Sequence, residues 1–398
     1  MTDEIQQRRA RLSVPDVTTT LLTLIDSPSV SPDSGAAAQT LARLLANRGF
    51  DVVTDDWGNT TGRIDFGPGP TLLFDAHVDT VGIGDRSQWR YSPKGVRIGD
   101  RIVGRGAVDT KGPLAAAIHA ADMLICDPAA TGSLIIAGSI DEELAEGPSL
   151  GRILDDIAPD VVVIGEPSDG ILRIGQRGRA EIVITVTGVA GHSAFPESST
   201  NAVEVMADIV HALRAIEFRT DRALGTGQLT LVSITSKPYP SQSTVPSECV
   251  AVFDRRTVLS ETASDILDEI NSTVYPVAQQ NNAHVSVSLA QAEWTTWRGF
   301  EVVAPIFAPA WFQPPDRWPV ADILTAFGRR GLSTKADIWP FCTHGSESAA
   351  RRGIPTIGFG PGDPAAAHTV DESISMDELH TGVMGYHAIF TTLLSAAR

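Results

Sequence analysis

Five residues of metal-binding type stand at or just beyond apolar runs, spread along most of the chain. They are His77 in Asp-Ala-His-Val-Asp, Asp109 in Gly-Arg-Gly-Ala-Val-Asp-Thr-Lys-Gly, Glu143 in Asp-Glu-Glu, Glu166 in Ile-Gly-Glu-Pro and His368 in Ala-His-Thr. Two imidazoles and three carboxylates suit two divalent cations that share a bridging ligand. Three negative charges set against two dications leave roughly one positive charge, which suits binding hydroxide and polarising a carbonyl. The chemistry indicated is hydrolysis. Any one of these residues alone is an ordinary loop residue; the mixture is the signal.

The elements that must position them read as an α/β pattern. Val17 to Ile25 and Ala36 to Asn47 carry helical apolar spacing. Thr71 to Phe74, Ser133 to Gly138 and Val161 to Ile164 are short apolar runs without alternation, as in strands buried on both faces of a mostly parallel sheet. Pro113 to Ile125 is an Ala-rich helix with Pro in its first turn. In open α/β sheets functional groups collect at the carboxyl ends of strands, where His77, Glu143 and Glu166 fall.

From about Gly178 the pattern changes. Glu181 to Thr187 alternates, a helix follows to Ile216, strands follow at Gln228 to Thr235 and Glu248 to Phe253, then a helix from Glu261 to Ala278 and an alternating His284 to Leu289. The order β-α-β-β-α-β is a ferredoxin-like α+β unit inserted into the α/β domain. The chain divides into residues 1–177 and 293–398 for the α/β domain and 178–292 for the insertion. After the insertion, Pro355 to Phe359 is another buried-strand run and Met376 to Ser395 reads as a closing helix.

Composition excludes other classes. The 398 residues carry a formal charge of −17 and 42% hydrophobic residues. No dense Lys/Arg cluster offers a nucleic-acid face. No apolar run of about 18 residues reads as a membrane span, and the stretch from Met1 to Ala10 has no apolar core of a leader; the expectation is a cytoplasmic protein. Cys126, Cys249 and Cys342 form neither a disulfide framework nor a thiolate zinc site; Cys126 and Cys249 read as buried small hydrophobes. Gly191-His192-Ser193-Ala194-Phe195 lacks the final glycine of a nucleophile elbow, and Thr110-Lys111-Gly112 has the wrong order for a P-loop.

The motifs, in their order from Asp75 to Glu372 and with the insertion, resemble the co-catalytic zinc metallopeptidase family of acetylornithine deacetylase, succinyl-diaminopimelate desuccinylase, aminoacylase and glutamate carboxypeptidase. The resemblance implies a zinc-peptidase-like catalytic domain and an inserted lid or dimerisation domain. It implies two divalent ions per subunit, zinc by preference and cobalt or manganese by ligand type. His77, Glu143, Glu166 and His368 resemble terminal ligands, and Asp109 the bridging carboxylate. Asp79 resembles the carboxylate that orients His77, placed two residues on along an extended chain. The glycines at 104, 106 and 112 would let the backbone approach the metals.

Glu142 resembles the general base that takes a proton from the metal-bridging water and delivers it to the leaving amine. In extended backbone Glu142 and Glu143 point opposite ways, so one can bind metal while the other faces the water. His192 resembles the histidine that stabilises the oxyanion, reaching in from the neighbouring subunit in dimeric members. Arg256 resembles the arginine that grips a substrate carboxylate, with Arg255 next to it as the alternative. Thr343, His344 and Gly360 fall on loops that line the substrate side in the family; His344 departs from the family's usual residue. Trp294, Trp297, Trp311 and Trp318 crowd one segment, as interdomain packing or as an aromatic wall.

Glu166, where aminopeptidases of the family carry an aspartate, implies deacylase or carboxypeptidase chemistry. The expected activity is hydrolysis of the amide of an N-acyl-amino acid. The alternatives are a carboxypeptidase or dipeptidase acting on short peptides, and a non-catalytic metal-binding homologue, which would need neither Glu142 nor His192. The expected assembly is a homodimer through the insertion.

Overall fold

The structure is a computed structural model that describes residues 16–240 and 242–395. The N-terminal stretch read for a leader lies outside the described residues. Among them no helix is long and apolar enough to cross a membrane.

The chain forms two compact units. The first comprises the chain up to Gln176, Glu293–Val303 and the chain from Phe312 onward; the second comprises Arg177–Ala292 and Ala304–Trp311. The division made on the sequence left Ala304–Trp311 with the last segment. The physical reason it joins the second unit is pairing: Phe307 and Ala308 lie antiparallel to Ala180 and Arg179.

The first unit is built on a mixed sheet. Its order is Asp51–Thr54, Thr60–Gly67, Gly132–Ser139, Thr71–His77, Val161–Ile164, Thr356–Gly358 and Leu172–Gln176. Thr71–His77 is parallel to Gly132–Ser139 on one side and to Val161–Ile164 on the other, and Val161–Ile164 is parallel to Thr356–Gly358. Every residue of Gly132–Ser139 and of Val161–Ile164 is buried, as their unbroken apolar character requires. The two strands at the Asp51 edge are antiparallel and had no clear signal in the sequence, because Thr60–Gly67 mixes Gly, Arg and Asp with its apolar residues.

The helix Lys111–Leu124 packs into this core with almost all of its residues buried. Its run of alanines costs little side-chain entropy and allows close approach. The closing helix Met376–Leu393 starts with a reciprocal capping box between Ser375 and Glu378.

The second unit has the sheet order Gln228–Lys237, Glu248–Thr257, Gly178–Thr187, His284–Leu289, antiparallel throughout. This is the ferredoxin-like arrangement. Ile182, Ile184 and Val186 alternate inward, and the helices Ala202–Leu213 and Ala263–Gln280 close a separate core. Cys249 is buried there, whereas Cys126 is exposed, against expectation, because it lies beyond the end of the Lys111–Leu124 helix.

His119 on that helix lies 3.2 Å from the Thr20 hydroxyl and 3.5 Å from the buried Arg48 guanidinium. Burial and then the Arg48 charge lower its pKa to about 4 from 6.5. Between these values the unfolded chain binds the additional proton, so this ring makes stability rise with pH. Its contribution is intact above 6.5 and is lost as pH falls towards about 4. His119→Gln should therefore lose less stability than the wild type between pH 6.5 and pH 4, read from urea midpoints; parallel losses would refute the assignment.

Candidate active site

Because neighbouring strands are parallel, their carboxyl ends share one edge of the sheet. His77 closes its strand, Glu143 lies four residues past Ser139, and Glu166 two past Ile164. Asp109 arrives on the loop before Lys111–Leu124, and His368 on the loop between Thr356–Gly358 and the closing helix. His77 Nε2 lies 3.0 Å from Asp109 Oδ1 and 3.4 Å from Glu166 Oε1. His368 Nε2 lies 3.2 Å from Asp109 Oδ2 and 3.1 Å from Glu143 Oε2. Two ligands about 2.0–2.1 Å from one tetrahedral ion stand roughly 3.3–3.4 Å apart. Each oxygen of Asp109 thus faces a different imidazole, and each imidazole has a second carboxylate beside it.

Asp109 is held by its own backbone. The carboxylate of Glu372 accepts from the N–H groups of Val108 at 2.8 Å, Asp109 at 3.1 Å and Gly106 at 3.2 Å, and from Arg105 Nη1 at 2.6 Å. Gly106 sits at φ +85, and a Cβ on Gly112 would stand 2.2 Å from the Ala107 carbonyl. These glycines serve the tightness of the loop itself, a different purpose from the metal approach expected of them.

Asp79 also works through the backbone. His77 Nδ1 lies 3.0 Å from the Asp79 carbonyl and 3.5 Å from its carboxylate. The fully buried carboxylate accepts from the Ser31 hydroxyl at 2.6 Å and from the N–H groups of Glu142 and Glu143 at 3.3 and 3.2 Å. Glu142 and Glu143 are not in extended backbone. They lie in a turn that follows Asp141, whose φ is 57. The turn still separates them: Glu143 meets His368, while Glu142 Oε2 stops 4.0 Å from His77 Nε2. Two triads, His77–Glu142–Glu166 and His77–Asp109–Glu143, have ligand atoms close enough to hold a cation. The 4.0 Å approach leaves Glu142 the outlying member of the first.

The loop residues expected to touch substrate are buried. The Thr343 hydroxyl donates to the Gln176 side-chain oxygen at 2.7 Å. His344 is buried, with Nδ1 2.8 Å from the Asp75 carboxylate and 3.3 Å from the Ser139 hydroxyl, polar partners that accommodate the unusual histidine. Gly360 packs against the Glu166 carbonyl, where a Cβ would stand at 2.4 Å. These three support the site from within, and the expectation of direct substrate contact is revised accordingly.

In the second unit, Arg255 is fully buried, pairs with Glu261 at 2.6 Å and lies over Phe218. Arg256 is part-buried and pairs with Asp254 at 2.8 Å. Of the two, Arg256 keeps guanidinium surface towards solvent. His192 is exposed, and its Nδ1 accepts from the Ala194 N–H at 3.0 Å. That bond fixes the tautomer with the proton on Nε2, leaving a free donor.

The electrostatics fit a cation cluster. Burial, with the charges of Asp109 and Glu143 adding, raises Glu166 to about 8. Hydrogen bonds to Asp109 and Glu143 raise His368 to about 10. Burial, with Glu166, Glu146 and Glu143 adding, pushes Glu142 well up. Burial works against the charge of Asp109, yet the contacts with His368 and His77 hold it well below the usual carboxylate range. Carboxylates packed this tightly need cations between them, and an N/O donor set suits zinc or a similar divalent ion.

Sequence reasoning gave no role to Asp141, marked Glu372 only as the end of the motifs, and read Trp294 only as interdomain packing or part of an aromatic wall. Glu372 follows His368 by four residues, a spacing that could have flagged it. The Trp segment resolves into specific bonds: Trp294 donates to Asp141 at 2.9 Å, and Trp297 donates to the Gly58 carbonyl at 3.2 Å while covering Gly35 and Gly58.

A mixed α/β fold whose sheet edge gathers paired imidazoles and carboxylates is that of a metallopeptidase-type hydrolase. Residues 73–392 match peptidase family M20/M25/M40, and the chain belongs to that family. It is 35% identical over 386 residues to the uncharacterized protein YgeY of Escherichia coli (strain K12), covering 94% of this chain and 93% of that one. It is 28% identical over 404 residues to succinyl-diaminopimelate desuccinylase of Dinoroseobacter shibae, covering 93% and 96%. A tripeptidase structure from Staphylococcus aureus superposes with a TM-score of 0.77 at 16% identity, over 96% of this chain and 99% of that one.

Glu372→Ala should leave Arg105 buried without its partner and release three backbone N–H groups. The expected loss is roughly 3–5 kcal/mol of stability, with metal content falling after zinc reconstitution. Unchanged stoichiometry and unchanged urea midpoint would show that Glu372 does not hold the Asp109 loop.

Proposed function

We propose that this chain is a dinuclear metal hydrolase that cleaves the amide bond of N-acyl-amino acids. The observation that carries the reading is Asp109 placed with one oxygen towards His77 and the other towards His368. His77, Asp109 and Glu166 would hold one ion, and His368, Asp109 and Glu143 the other, with zinc the expected metal. When bound, the ions would polarise the scissile carbonyl and lower the pKa of water.

The chain's own residues supply the remaining steps. Glu142, close to the ligands but outside contact with His77, takes a proton from the attacking water and later passes it to the leaving amine. A carboxylate can serve both duties. His192 offers its Nε2–H to the oxyanion. Arg256, part-buried where Arg255 is fully buried, takes the substrate carboxylate. The carboxylate-gripping arginine and Glu166 favour N-acyl-amino acids, and the desuccinylase of Dinoroseobacter shibae is a relative along almost its whole length. A carboxypeptidase or dipeptidase of the same family would use the same groups. Hydrolysis of N-acetyl-, N-succinyl- and N-formyl-amino acids, compared with dipeptides, decides between them.

The assembly we propose is a homodimer through the second unit. Its sheet ends in the edge strand Gln228–Lys237, where Leu231, Val232 and Ile234 are exposed. Such an edge is a template for pairing with a second copy.

Glu142→Gln should keep fold and metal yet lose about 10²- to 10⁴-fold in turnover; unchanged turnover removes Glu142 as the base, and lost metal makes it a ligand. Mixing inactive His192→Ala with inactive Glu142→Gln should restore part of the activity if His192 acts across the dimer. No recovery, with subunit exchange demonstrated, removes the cross-subunit role. Converting the substrate carboxylate to an amide and mutating Arg256→Ala should each cost about 30-fold or more, without adding, because they remove one shared contact. Simple addition of the two losses would release Arg256 from this role.

A further inference from the structure

The turn Asp141–Glu143 carries both the proposed base and a proposed ligand, and its fixing does not come from the sheet alone. Asp141 is fully buried, and its φ of 57 lies in the left-handed region. Its carbonyl accepts from the N–H groups of Leu144 and Ala145, which closes the turn. One carboxylate oxygen accepts the indole N–H of Trp294 at 2.9 Å; the other has no partner among the described residues. The indole is thus the one side-chain donor on this acid, and its loss leaves a buried carboxylate without any.

Trp294 lies on a two-stranded ribbon, Gln291–Thr295 with Glu301–Pro305, that begins where the inserted segment ends. A second residue of the ribbon reaches the same turn indirectly. Trp297 donates to the Gly58 carbonyl, and the next residue, Asn59, accepts the Ile140 N–H at 3.0 Å. Gly58 is required there, because a Cβ would stand 2.1 Å from the Trp297 indole nitrogen. The Trp57 ring lies 5.3 Å from that of Phe300, at the far end of the ribbon's loop. The opposite side of the turn is held by Asp79, which accepts the N–H groups of Glu142 and Glu143.

We propose that Trp294 is a positioning residue for the reaction: through Asp141 it sets the part of the turn that aims Glu142, while Glu143 keeps its place against His368. The inference rests on the proposed role of Glu142 as base. It makes the ribbon part of the catalytic apparatus, although none of its side chains is a ligand or a base. Trp294→Phe removes the N–H together with the pyrrole half of the indole, so Asp141→Ala and Asp141→Asn, which leave the indole in place, separate the hydrogen bond from packing.

The test compares Trp294→Phe, Asp141→Ala and Asp141→Asn in the zinc-loaded full chain. Activity is followed on the N-acetyl-, N-succinyl- and N-formyl-amino acid series. Trp294→Phe should lower kcat about 10-fold or more, the equivalent of one hydrogen bond lost with a buried acceptor left unsatisfied, with KM and metal stoichiometry close to wild type. Amide hydrogen exchange at Glu142 and Glu143, which needs no substrate, should accelerate while the strand Gly132–Ser139 stays protected. Asp141→Asn retains an acceptor for the indole and should keep more activity than Asp141→Ala. Trp294→Phe combined with Asp141→Ala should cost little beyond Asp141→Ala alone. Wild-type kcat in Trp294→Phe, a loss that tracks lost metal, faster exchange throughout the chain, or additive losses would each overturn the proposal. Should Glu142→Gln also remain active, the base assignment fails; an inactive Glu142→Gln beside a fully active Trp294→Phe removes the positioning role alone.

Discussion

Crowding of negative charge around Asp109 is the constraint from which most of the surrounding structure follows. Glu143, Glu166 and Asp109 converge on two imidazoles, and Glu142 stands close by. Such a cluster repels itself unless cations lie within it and donors lie around it. The donors here are largely backbone. Glu372 collects three N–H groups of the Asp109 loop, and Asp79 collects two from the Glu142–Glu143 turn. Two buried carboxylates that need not touch a metal therefore shape the loops that do. Oriented amides cost no rearrangement when charge changes, which is what an electrostatic site requires.

The sheet makes that convergence possible. Four parallel strands end side by side, so residues far apart in sequence arrive at one edge with fixed backbones. Complete burial of Gly132–Ser139 and Val161–Ile164 gives this platform its rigidity, since close-packed interiors transmit displacement instead of absorbing it. The ferredoxin-like unit keeps a separate core of Ile182, Ile184, Val186 and their helix partners. Its amphipathic strands bury one face only, which leaves its edge strand exposed.

Much of this was legible in the sequence. Unalternated apolar runs marked the central strands, alternation marked the insertion, and the ligand types at strand ends marked the cluster. The antiparallel strands Asp51–Thr54 and Thr60–Gly67 escaped because they are poor in large apolar residues, although Thr60–Gly67 alternates in burial. Glu372 and Asp141 escaped for another reason: a carboxylate that binds backbone amides looks in sequence like any surface acid. Trp294 was visible as an aromatic residue but not as a hydrogen-bond donor to a catalytic turn. Thr343, His344 and Gly360 were located on the right loops, yet the sequence cannot tell a loop face turned towards solvent from one turned towards Gln176, Asp75 or Glu166.

The adjacent glutamates show how backbone conformation divides labour that side-chain chemistry leaves undecided. Residues 142 and 143 have the same functional group and the same reach. In a strand their opposite directions would follow from the pleat. In the actual turn the division rests on Asp141 at positive φ, a conformation that costs an L-residue about 1 kcal/mol or more and persists only where neighbours over-determine it. Asp79 from one side and Trp294 from the other supply that determination. One glutamate is then set against His368, and the other stops 4.0 Å from His77 Nε2. A base drawn into the ligand shell would lose its proton affinity to the metal. A carboxylate held outside, as proposed for Glu142, keeps the capacity to accept a proton and to return it. On the proposed reading, the strain at Asp141 is thus the local cost of keeping a ligand and a base on consecutive residues.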